Sequence, residues 1–134
     1  RLWSEIREKR NLAYVVGEGC ESEKKFGYNF IYVGTSPDKV KEVKSLIIKE
    51  FEKVAESLSE KELNESKEQL IGGYQISTED SNSQMINLLV SEISGDAKDF
   101  YDFEKDIRNI KLKDVKELAK QAAKKHSFFA LVPE

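Results

Sequence analysis

Ser4-Glu5-Ile6-Arg7-Glu8-Lys9-Arg10-Asn11-Leu12-Ala13-Tyr14 is the stretch on which the reading of the chain turns. Residues 2–9 predict a short helix, or the end of one, with Leu2 and Ile6 turned inward and the side taken by Trp3 left open. The charges from Glu5 to Arg10 suit the solvated end of such a helix. Residues 12–17, Leu-Ala-Tyr-Val-Val-Gly, have the β-branched and aromatic content of a strand. Next, residues 25–34 alternate Phe26, Tyr28, Phe30 and Tyr32 with Ile31 and Val33, giving a period-two strand that is apolar on both faces. Its aromatic face is expected to be the side that meets the core. The polar residues 18–24 are expected to form a hairpin-like loop between the two strands.

From residue 35 the period becomes helical. Thr35 and Ser36 are candidate N-caps, and Pro37 fits the first helical turn, where a missing N–H costs nothing. Val40, Val43, Ile47, Phe51, Val54 and Leu58 form one apolar stripe. Ser59 with Glu62, and Ser81 with Gln84, have the spacing of capping boxes that open two further helices. Gly95-Asp96 predicts a turn, and Phe100, Phe103, Ile107 and Ile110 form the next stripe. Leu112, Val115, Leu118, Ala119 and Ala122 form the last one, before a closing strand over residues 127–132 that Pro133 ends. Strands and helices that cluster separately predict an α+β fold, a mainly antiparallel sheet with several helices on one face. Residues 1–134 are read as one domain fragment. The few strands make a meagre sheet for so many helices, so further strands are expected before residue 1 and the chain reads as truncated at its front.

The 134 residues suit one domain or a large piece of one, and 39% hydrophobic content is enough for one core. With 22 basic and 25 acidic residues the net charge is −3, which argues against nucleic acid as a partner. No apolar run approaches the roughly 18 residues of a membrane span, and Arg1-Leu2-Trp3 opens no signal peptide. The single cysteine, Cys20, excludes an internal disulfide and points to a reducing, cytoplasmic compartment. The single histidine, His126, excludes a two-histidine mechanism and most self-contained zinc sites. Taken alone, the chain is poorly equipped as an enzyme.

Read together with Arg1-Leu2-Trp3, the opening stretch closely resembles the signature of the pitrilysin/insulinase family of zinc metallopeptidases, which includes the mitochondrial processing peptidases. Members read R-L-F/W-x-E-I/L-R-E-K-R-G-L-A-Y in their second, non-zinc half. The likeness continues in Phe26-Gly27-Tyr28 and Gly34-Thr35-Ser36-Pro37, a strand leading into a G-T-x-P helix start. It extends through Glu60-Lys61-Glu62-Leu63, Lys67, Gln69-Leu70 and Gly72 to Glu79-Asp80-Ser81. Asn11 stands where the family usually has glycine, and asparagine is the non-glycine residue best suited to the left-handed backbone region.

The resemblance implies a half-chamber of metallohydrolase type, in the C-terminal domain of a zinc endopeptidase that hydrolyses peptide bonds. The family's H-x-x-E-H zinc motif is missing here, because His126 has no histidine partner. The resemblance therefore implies zinc bound outside this segment, in an N-terminal domain or a partner subunit, with this segment inactive alone. A homodimer or a heterodimer would each satisfy that arrangement. By the same resemblance, Arg7 is the substrate-binding residue and Tyr14, seven residues on, is catalytic as an oxyanion-stabilising donor. Peptide hydrolysis develops charge on the carbonyl oxygen, and one aimed donor there is worth roughly 2.7–4 kcal/mol. Arginine offers a fixed fork for substrate carbonyls or a terminal carboxylate. The alternative is a non-catalytic structural or partner subunit of the same family. An unrelated α+β interaction module is more distant still.

Other residues read as bland. His126 suits a surface position, and Cys20 lies in a polar stretch without an activating setting. Gly72-Gly73 inside a helical pattern is expected to mark close helix packing or a kink.

Overall fold

The front helix is wound wide. Ser4–Glu8 is π-helical, and the Lys9 N–H donates to Ser4 O at 3.0 Å. The computed structural model describes residues 1–22 and 25–132. They fall into two compact units, residues 1–57 with 116–134, and residues 58–115.

In the first unit, β1 (Val15–Ser22) and β2 (Gly27–Gly34) pair antiparallel in a two-stranded sheet, in register from Val15↔Gly34 to Ser22↔Gly27. The strand expected at residues 12–17 therefore starts later and runs on through residues 18–22, where the polar composition predicts a loop. The cross-strand hydrogen bonds explain this, since pairing with β2 satisfies the polar Glu18–Ser22 backbone as well as a loop could. Residues 23 and 24 of that expected loop lie outside the described residues.

After β2, Pro37–Lys39 forms a single 3₁₀ turn, with Pro37 at its start, and α1 (Val40–Ser57) follows. Ile6, Leu12, Ala13 and Val43 are the buried centre, with Leu2, Val16, Val33, Leu46 and Ile47 packed against them. The face of the hairpin that meets the core thus carries Val16 and Val33. The expectation for the other face is overturned: Phe26, Tyr28, Phe30 and Tyr32 are all exposed. A strand that is apolar on both sides has no inward face written in its own pattern, so the packing of α1 decides. The aromatic face is not idle, because Tyr32 and Phe30 stand opposite Gly17 and Gly19. The Phe30 ring occupies the space that a Cβ at Gly19 would take, covering backbone that no side chain shields.

The second unit holds α2 (Glu60–Ser77), α3 (Ser81–Ser94) and α4 (Asp99–Asn109). Ser59 and Glu62 form the expected capping box, with bonds of 3.1 and 3.2 Å in the two directions. Between α2 and α4, Tyr74 stacks on Phe103 with ring centroids 4.1 Å apart, and its hydroxyl donates to Phe100 O at 2.7 Å. Burial raises the Tyr74 phenol above its ordinary pKa, with Tyr101 adding to the shift. Lys67 donates to Arg108 O and Ile110 O at 2.9 and 2.6 Å, a cation on the carbonyl end of α4. Gly72 and Gly73 lie within α2, and among the described residues a Cβ at either would meet nothing within 4 Å, so no described neighbour packs closely on them.

The expected capping box at Ser81 and Gln84 is corrected by one residue. Asp80 is the N-cap of α3, and its carboxylate accepts from the Ser83 N–H at 2.8 Å. Gln84 instead donates its side-chain amide to Thr78 O. Asp80 presents a full negative charge to the helix N-terminus, which a serine cannot. The hydrogen bond from the Ser83 backbone holds the Asp80 carboxyl below its usual range. Its proton is bound less readily in the folded state than in the unfolded one. The cap therefore stabilises fully above the ordinary aspartate range and is lost as pH falls through the lowered folded value. Amide exchange at Ser83 is expected to accelerate over that acid window in the native protein and to lose this titration in Asp80→Asn.

The unit boundary falls within α5 (Leu112–Lys124). Its later part joins the first unit, where Lys116 donates to Glu56 O at 3.2 Å and Ala119 is buried. The closing strand expected at residues 127–132 is not formed, and Pro133 lies outside the described residues. A strand exists only through its ladder, and no described strand lies beside this segment to pair with it. Phe129 and Leu131 are left 86% and 91% exposed, while Lys44 Nζ rests 4.5 Å from the Phe128 ring centroid.

Candidate functional site

The route from helix to strand depends on one backbone angle. Asn11 has φ 51°, the left-handed conformation its residue type tolerates, and it is the one non-glycine with positive φ among the described residues. Around it the Asn11 N–H donates to Arg7 O at 3.0 Å and the Leu12 N–H to Ile6 O at 2.9 Å. This closure resembles a Schellman turn widened by one residue, as the π winding requires. Leu12 and Ala13 then drop into the core beside Ile6. Thr35 Oγ1 donates to Leu12 O, and the Tyr14 N–H to Gly34 O at 2.9 Å, so the end of β2 holds both sides of Ala13. The expectation of Thr35 or Ser36 as a side-chain cap is replaced by this bond, since the cap residue Ser36 makes no side-chain capping contact.

Burial of Ile6 and Ala13 sends their neighbours outward. Tyr14 is 81% exposed on a fixed backbone, and no described residue partners its hydroxyl. It borders a depression of about 100 Å³ with Asn11, Leu12, Ala13, Ser36 and Lys39. Arg7 is exposed as well but does not line that depression. Its guanidinium carbon lies 4.4 Å from the ring centroid of Trp3. Trp3 is 42% exposed, which settles the side that the sequence leaves open, and its spacing of four residues from Arg7 on a helix is the signal for their contact. On the other side, Glu5 pairs with Lys9 and Arg10. The Lys9 ammonium, hydrogen-bonded to it, holds the Glu5 carboxyl below its usual range, with Lys53 and Arg10 adding to the effect.

Elsewhere the described residues offer little chemistry. A wider depression of about 330 Å³ along α1 is lined by Lys41, Lys44, Ser45, Ile48, Lys49 and Glu52, without a nucleophile and base in contact. His126 is exposed beyond α5, its Nδ1 3.2 Å from Ala122 O. Cys20 is an exposed free thiol on β1. No group of three or more His, Cys, Asp or Glu among the described residues could hold a metal ion. No described helix is long and apolar enough to cross a membrane.

Residues 1–70 match the family described as "Peptidase M16 inactive domain". The chain is also similar to "Uncharacterized zinc protease YmxG" of Bacillus subtilis (strain 168), at 33% identity over 86 residues, covering 63% of this chain and 21% of the relative. Among solved structures, "The crystal structure of the periplasmic protease PqqL from Escherichia coli" resembles it with a TM-score of 0.66 at 20% identity, covering 90% of this chain and 14% of that one. That last likeness concerns the fold alone. The chain thus spans about a fifth of the curated relative it matches.

Proposed function

The chain belongs to the Peptidase M16 inactive-domain family, and from that premise we propose that it serves as the C-terminal domain of a zinc endopeptidase that cleaves peptides within an enclosed chamber. In this reading Tyr14 donates its phenolic hydrogen to the carbonyl oxygen as charge builds on it, and Arg7 binds the substrate through carbonyl or carboxylate groups. The observation that carries the reading is the turn at Asn11. It leaves Tyr14 exposed and unpartnered among the described residues, on a backbone fixed by Gly34 and Thr35. With its main chain already fixed, only rotation of the side chain remains to be ordered when charge develops.

The described residues do not fit a zinc ion, because they assemble no three ligating side chains. The reading therefore assigns the metal to another domain or to a partner subunit, supported by the zinc-protease name of the B. subtilis relative. A cytoplasmic setting belongs to the same reading, and the single cysteine is its support.

The test is made on the complete protein with an internally quenched, unstructured peptide. Cleavage is expected to stop with 1,10-phenanthroline and to return with added zinc. Cleavage indifferent to the chelator would overturn the reading. A protein that binds the peptide without cutting it would instead be the non-catalytic partner of the family.

A further inference from the structure

Trp3 stands out of the core, 42% exposed, and its ring meets the side chain of a site residue, with the Arg7 guanidinium carbon 4.4 Å from the ring centroid. We propose that Trp3 is a positioning residue for Arg7, holding the guanidinium by its ring face so that the N–H groups stay available to a peptide. The proposal rests on the reading of Arg7 as substrate-binding and adds the device that keeps it ready.

An arginine used for binding has to be held still without being used up. A carboxylate partner would hold it through the same N–H fork that the substrate needs, and would cancel its charge. An aromatic face attracts the cation through the ring quadrupole and accepts none of its in-plane hydrogen bonds. The neighbourhood is arranged accordingly. Glu5, the acid two residues before Arg7, is taken by Lys9 and Arg10. Among the described residues no ion pair reaches Arg7, and the contact with Trp3 remains. The helix that carries both residues is pinned by Ile6, fully buried between them in sequence. Its Ser4–Glu8 segment is π-wound, a rare geometry that recurs at functional sites.

The experiment compares Trp3→Ala, Trp3→Phe, Arg7→Ala and the Trp3→Ala/Arg7→Ala double variant in the complete protein. KM and kcat are read with the internally quenched peptide, the dissociation constant with the same peptide, and the thermal midpoint alongside. Trp3→Ala is expected to raise KM and Kd about two- to fivefold, the usual scale of an exposed cation–π contact, with kcat unchanged. Trp3→Phe should keep most of the native value, and Trp3→Ala should add nothing once Arg7 is alanine. An equal loss in the Arg7→Ala background, or Trp3→Phe as damaging as Trp3→Ala, would overturn positioning while leaving Arg7 in its role. A fall in thermal midpoint with KM and Kd unmoved would also overturn it. Unchanged KM and Kd in Arg7→Ala itself would remove the underlying reading of Arg7. The dissociation constants decide the matter even for a protein that binds without turnover.

Discussion

Tyr14→Phe in the complete protein is expected to lower kcat about 100-fold while KM stays within about twofold. The substitution removes one oxygen and leaves the ring. Tyr14 is 81% exposed and its hydroxyl has no partner among the described residues, so no folded-state hydrogen bond is lost with it. Its place in the fold is set by main chain, through the bond from its N–H to Gly34 O, and that bond survives the change. Stability should therefore stay within about 0.5 kcal/mol of the parent, as for surface substitutions generally. A rate effect with no stability effect is the signature of a group that works on the reacting carbonyl and not on the fold. Steady-state kinetics beside urea denaturation separate the two. Unaltered kcat would remove Tyr14 from catalysis, and a KM rise in place of a kcat loss would reassign it to substrate binding.

How far the sequence foretold this site depends on the kind of information each residue carries. Asn11 could be read because a left-handed turn demands a short list of residue types, and the structure puts φ 51° there. The Ser59–Glu62 box and the α1 stripe were legible for a similar reason, each being a local pattern with a local cause. The face of β2 was not, since Tyr28, Phe30 and Tyr32, with Phe26 just before the strand, look as core-like as Ile31 and Val33 until α1 chooses a side. Residues 18–22 misled for the converse reason, being polar in composition and strand by virtue of a partner. The closing segment has strand chemistry in Phe128, Phe129, Leu131 and Val132 but no ladder among the described residues. Pairing is a relation between segments, and a single segment's letters state it poorly. At the proposed site, the resemblance to the family's motif is what singled out Arg7 and Tyr14. The contact of Arg7 with Trp3 and the bond from Thr35 to Leu12 O needed coordinates.

Ile6→Ala is the change expected to cost the most stability, about 2–5 kcal/mol, with Ile6→Val costing about 0.5–1.5. Ile6 is 0% exposed, and Leu12, Ala13 and Val43 close around it. The cavity left by alanine would be walled on one side by α1 and on the other by the turn itself, so collapse into it means moving the turn. Leu12 donates to Ile6 O, and Leu12 O in turn accepts from Thr35, so displacement at residue 6 passes along hydrogen bonds to the base of Tyr14. Amide exchange at Leu12 and Tyr14 in the complete protein should therefore rise more than exchange in the unit of residues 58–115. Ile6→Ala should also reduce kcat, through misplacement of the phenol, and Ile6→Val should restore most of it. A uniform rise in exchange through both units would show that Ile6 supports global stability alone. Unchanged protection at Tyr14 would show that Gly34 and Thr35 hold the turn without it.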